Sequence, residues 1–136
     1  MDTRTAARRW ARTWAQAWPV KDVEAIVALQ AEDGVHWASL FRRFEGRDGL
    51  REYVAGCFAE EVAPAETRFA DPWVDGDCAA AEYWVVMHLA DGPVTISGCT
   101  VLRFDEAGLV TEARDYSHLQ EGRSEPAVTL FAESPA

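Results

Sequence analysis

The stretch Leu102-Arg103-Phe104-Asp105-Glu106-Ala107-Gly108-Leu109-Val110, with Ala113-Arg114-Asp115-Tyr116 shortly after it, reads as strand, tight turn and strand. The apolar residues stop at Asp105, a turn of Asp, Glu, Ala and Gly follows, and apolar residues resume at Leu109. Working back from there, Val94 to Phe104 is one long strand and Asp91-Gly92-Pro93 turns the chain. Ala79 to Leu89 is another strand, entered through the hairpin signal Asp75-Gly76-Asp77. Thr67 to Val74 also has strand composition, although Pro72 makes it irregular or an edge. Leu109 to Leu119 completes an antiparallel meander.

The first half has a different period. Trp10, Trp14 and Trp18 recur every fourth residue over 3–18 and share one helix face, with Pro19 as the stop. Asp22 is placed to cap a short second helix that buries Val23, Ile26, Val27 and Leu29. Glu32-Asp33-Gly34 breaks that helix, and strand-like residues run from Val35 to Phe41. After the turn at Glu45 to Gly49, Asp48 is expected to cap a third helix, whose Leu50, Tyr53, Val54, Cys57 and Phe58 fall at helical spacing. Pro64 marks its far side. Helices followed by a meander define an α+β order. Residues 1–120 are expected to form one domain, and 121–136, without periodicity, a tail.

Composition narrows the function classes. A chain of 136 residues with 49% hydrophobic and 26% charged residues can bury a sizeable core. A net charge of −10 opposes binding to phosphate backbones, and Arg4, Arg8, Arg9 and Arg12 read as a solvated helix face. No nucleic acid is expected as a partner. Three cysteines without a CxxC pair read as buried free thiols in a reducing compartment. With no apolar leader and no run of about 20 apolar residues, no membrane partner is expected and the expected location is the cytoplasm. His36, His88 and His118 lack metal-site spacing, and phosphate-loop and dinucleotide fingerprints are absent. Neither metal nor cofactor is expected.

The Leu102 to Val110 hairpin and the Arg114-Asp115-Tyr116 signature resemble the terminal hairpin of SnoaL-like proteins, a branch of the nuclear-transport-factor-2-like superfamily. Asp22 to Ala31 and the Phe41-Arg42…Gly46…Leu50 entry to the third helix are similar to the same family, so the resemblance covers about residues 5–120. It implies a cone-shaped α+β barrel, with three N-terminal helices packed on a strongly curved, mostly antiparallel sheet and an open end that admits a small apolar ligand. Family members include polyketide cyclases, ketosteroid isomerases, epoxide hydrolases and dehydratases, as well as non-catalytic binding and dimerising modules. The fold alone therefore does not choose an activity.

By resemblance, Asp115 projects into the pocket as the general acid/base, and burial there would raise its pKa. The alternative is a surface carboxylate paired with a neighbouring Arg. Strand alternation groups Glu82, Trp84, Val86 and His88 on one face, and Tyr83, Val85, Met87 and Leu89 on the other. Which face is concave stays open; if the Glu82 face is, it supplies a second catalytic carboxylate. His36 and Trp37 fall where ketosteroid isomerases carry their base, Trp14 near their first-helix tyrosine and Thr100 near their protonated aspartate. All three positions are altered, so that mechanism is not expected, although His36 remains a candidate base. Trp14, Trp37, Tyr53, Trp84 and Thr100 are the candidate ligand contacts. Three readings follow: a cofactor-independent enzyme, a ligand-binding protein, or a dimerisation module whose pocket its own side chains fill. A homodimer through the outer sheet face is expected with each.

Overall fold

A computed structural model describes residues 1–131. Three helices precede or interrupt seven strands, giving a mixed α+β fold. Helix α1 (Thr3–Val20) starts at Asp2, whose carboxylate accepts the Thr5 amide at 2.7 Å. It runs through Pro19 rather than stopping there, and ends at Lys21, whose left-handed backbone (φ 60°) returns its N–H to Ala17 and Trp18. Helix α2 (Val23–Val27) is capped by Asp22, which accepts from Ala25.

Strand β1 (Gln30–Ala38) begins earlier than its sequence suggests. Glu32, Asp33 and Gly34 lie in a bulge between two stretches of regular pairing, and do not form a loop. A Cβ on Gly34 would meet the Gln30 side chain and the Val110 carbonyl, so the bulge requires glycine. After a turn at Ser39 and Leu40, β2 (Arg42–Glu45) pairs back on β1 and leads into α3 (Gly46–Ala59). Asp48 does not cap α3: it lies in the first turn and pairs with Arg51 at 2.6 Å.

Strand β3 (Glu61–Phe69), at the sheet edge, carries Pro64 within a register shift between Ala63 and Glu66, and β4 (Trp73–Asp75) is separate from it. The long strands β5 (Cys78–Leu89), β6 (Gly92–Phe104) and β7 (Val110–Glu121) follow. The sheet order is β2-β1-β7-β6-β5-β3, with β4 attached to β5. Pairing is antiparallel except between β1 and β7. The two ends, β2 and β3, do not meet, so the expected barrel is an open sheet.

Helix α1 packs on the inner face through Ala6, Ala7, Trp10, Ala17 and Trp18, and α3 through Leu50, Val54 and Phe58. Past Glu121 the chain turns and returns over the outer face of β5 and β6, not as a free tail. Trp84 Nε1 donates to the Ser124 carbonyl at 2.9 Å, the Phe131 amide donates to Glu82 at 2.7 Å, and Leu130 is buried. The rest of the expected tail, 132–136, lies outside the described residues. The cysteines are not core: Cys57 is exposed, and Cys78 and Cys99 are half-buried. Among the described residues no helix is long and apolar enough to cross a membrane.

Candidate functional site

Inner-face residues of the three long strands fall into register. Ala81, Thr100 and Asp115 form one row across β5, β6 and β7; Tyr83, Gly98 and Ser117 form the next; Val85, Ile96 and Leu119 form a third. Above these rows lies a cavity of about 260 Å³, walled by α1 and α3. Its walls are mostly apolar and include Trp10, Trp14, Trp18, Phe58 and Phe69. Arg42, Cys57, Glu60 and Leu119 line it and are exposed, which marks the mouth.

Asp115 is the polar centre. Oδ1 accepts from the Tyr83 hydroxyl at 2.5 Å and from Thr100 Oγ1 at 3.1 Å, and Oδ2 accepts from Ser117 Oγ at 3.2 Å. Burial raises its pKa above the ordinary carboxylate value, and the three donors pull against that. An ionised carboxylate offers about four lone-pair sites. Three are used, which leaves room for one more partner. No cationic side chain among the described residues pairs with it, and the neighbouring Arg114 turns outward to Glu112.

Tyr83 reaches Asp115 because Gly98 stands opposite it. A Cβ at Gly98 would collide with the Tyr83 ring and hydroxyl, so the tyrosine lies across the glycine. Burial, and then the charge of Asp115, raise the pKa of Tyr83, which keeps it a proton donor. His36 lines the same cavity, its ring 5.3 Å from that of Tyr53. Burial pushes its pKa down to about 4, so it is a neutral imidazole at physiological pH.

Asp115, His36, Trp14, Tyr53 and Thr100 therefore meet in one cavity. Glu82, Trp84 and Trp37 do not. The concave face of β5 is the Tyr83 face, so Glu82 and Trp84 point outward and are engaged by the returning chain. On β1 the side chain that enters is His36, and Trp37 lies under Arg43. Tyr83 and Ser117 were not singled out from sequence. The available signal was Gly98, a lone glycine in mid-strand that marks a close approach.

An open sheet backed by helices thus holds a half-buried carboxylic acid in an aromatic-lined cavity. The chain belongs to the SnoaL-like domain family, whose model matches residues 8–113. Among solved structures it is similar to a hypothetical protein of Catenulispora acidiphila with a ketosteroid isomerase-like fold, determined in complex with trimethylamine. The two are 23% identical with a TM-score of 0.68, over 77% of this chain and 82% of that one. It is also similar to an LEH-like epoxide hydrolase of M. tuberculosis, at 22% identity and TM-score 0.69, over 85% and 84%. An NTF2-like protein of unknown function from Exiguobacterium sp. 255-15 matches at 15% identity and TM-score 0.69, over 83% and 98%. These likenesses concern the fold. Among curated proteins none matches significantly.

Proposed function

We propose that the protein is a cofactor-independent enzyme that moves a proton on a small apolar molecule, with Asp115 as the general base and then acid. The observation that carries this reading is the Asp115 carboxyl itself: largely enclosed in an apolar cavity, held by three hydroxyls and, among the described residues, without an ion pair. Structural carboxylates at such depth are usually neutralised by a cation. A raised pKa and an unused lone-pair site suit proton transfer near neutrality.

The chemistry that fits best is enolisation. Asp115 takes a proton from the carbon beside a carbonyl, the C–H electron pair becomes a carbon–carbon π bond, and the carbonyl π pair moves onto the oxygen. Neutral His36 and the Tyr53 hydroxyl, which also meets Cys57, are among the cavity-lining donors suited to stabilise that oxygen. Return of the proton to another carbon isomerises the substrate; attack of the enolate carbon on a second carbonyl closes a ring, and the alkoxide formed as that C=O π bond breaks takes the proton back from Asp115. Epoxide hydrolysis with paired carboxylates and an intervening Arg is less suited, because Glu82 and Arg114 face away from Asp115.

The test is deuterium uptake at the α-carbon of small apolar ketones and polyketide-like diketones in D2O, followed by NMR. Wild-type protein is expected to catalyse exchange, and Asp115→Asn to lose about 10²–10⁴-fold while its circular dichroism is unchanged. Equal exchange by the variant would take Asp115 out of the mechanism. A non-catalytic binding protein is the second reading, favoured by the satisfaction of Asp115 by its own neighbours; binding without exchange would select it. Either way we propose a homodimer built on the outer face, where Val101 and Tyr116 are exposed side by side on β6 and β7. Three free thiols suit a reducing compartment such as the cytoplasm.

A further inference from the structure

The aromatic side chains of the cavity form a closed circuit. Ring centroids are 6.0 Å apart from Trp10 to Trp14, 5.7 Å from Trp14 to Trp18, and 6.5 Å from Trp18 to Tyr83. Tyr83 stacks on Phe69 at 5.1 Å, and Phe69 returns to Trp10 at 5.8 Å. All five line the cavity, and Tyr83 carries the hydrogen bond to Asp115. The lining has one cationic residue, Arg42, and it is spent at the mouth, where its guanidinium sits over Phe44 and Tyr53 at 5.2 and 5.5 Å.

We infer that this circuit and Asp115 together form a site for a small organic cation, an alkylated ammonium group carried on an apolar body. Aromatic faces are electron-rich and attract a cation, most strongly where water is excluded. A weakly hydrated alkylammonium gives up less on entering such a cavity than a metal ion or a primary amine does. It also supplies the one thing Asp115 lacks, a counter-charge. A neutral ligand leaves that carboxylate desolvated and unpaired, and an anionic ligand meets it with like charge. The inference rests on the proposed function for the cavity and for an ionised Asp115, and it narrows the substrate class from apolar molecules to apolar amines.

An isosteric pair tests it. Choline and 3,3-dimethylbutan-1-ol have nearly the same shape and differ in charge, and calorimetric titration measures each at 0.15 M and 0.5 M salt. Choline is expected to bind at least about tenfold more tightly at both salt concentrations. The preference is expected to shrink to less than about threefold in Asp115→Asn, a near-isosteric change that keeps the fold, and to weaken in Trp14→Leu. Equal binding of the two compounds, no binding of either, or a preference that disappears at 0.5 M salt would each overturn the inference; the last would assign it to the net charge of −10 rather than to the cavity. None of these outcomes touches the proton-transfer reading, which fails if wild type catalyses no exchange or if exchange is independent of Asp115.

Discussion

His36 and Gly98 shape the site without contacting Asp115. The His36 imidazole has its pKa lowered from 6.5 to about 4 by burial. Between those two values the unfolded chain binds a proton that the folded protein refuses, so stability falls as pH drops through that window and levels off below it. The full loss is roughly 3 kcal/mol. Urea unfolding at pH 7 and pH 4 is expected to show wild type losing about that much more than His36→Gln. Gly98 acts by having no side chain. In Gly98→Ala the new methyl displaces the Tyr83 ring, at a cost of about 1–3 kcal/mol, and Asp115 loses a donor that holds its pKa down. Its carboxyl should then titrate higher than in wild type, as read by carbon-13 NMR. Tyr83→Phe should move it in the same direction without the clash.

At the scale of elements, α1 is tied to the sheet by a buried carboxylate. Glu61 at the start of β3 is fully buried, accepting Trp18 Nε1 at 2.8 Å and Lys21 Nζ at 2.6 Å. This one residue orients a cavity wall and secures the end of the helix. Lys21→Met leaves the carboxylate with the indole alone. It is expected to cost roughly 3 kcal/mol in urea unfolding, the low end of the buried range because Lys21 is partly reached by water. The same scale shows why part of the site was legible and part was not. The Trp10/Trp14/Trp18 spacing defines one buried helix face, of which only Trp14 reads as a cavity wall, and the resemblance at the hairpin around Gly108 points to Asp115. On β5 the Tyr83 face is the more apolar, but the Glu82 face also carries Trp84 and Val86, so alternation could not say which was concave. The outer side carries Trp84 only because residues 122–131 return to cover it, and that contact is remote in sequence. β2 was missed because its four residues, Arg42 to Glu45, include three charged ones and bury none.

For the whole molecule, the outer face divides in two. The β5 part is covered by the returning chain; the β6–β7 part leaves Val101 and Tyr116 in solvent. If a second copy covers that remainder, Val101→Arg should give a monomer by light scattering with an unchanged circular dichroism spectrum, whereas a species of the same mass as wild type would place the contact elsewhere. The helix count, the meander and the mixed α+β order were all readable from periodicity. The parallel pairing of β1 with β7 was not, because no local pattern reports a partner some eighty residues away. That pairing also governs how the molecule is made. Asp115 and Ser117 ride on β7, which leaves the ribosome after every other strand and inserts between β1 and β6 rather than adding to an edge. Until it arrives, both neighbours present unpaired backbone and the floor of the cavity does not exist. A nascent chain therefore acquires the cavity floor in a single late step, and a transcript truncated before codon 110 would leave β1 and β6 as two further open sheet edges and no cavity floor.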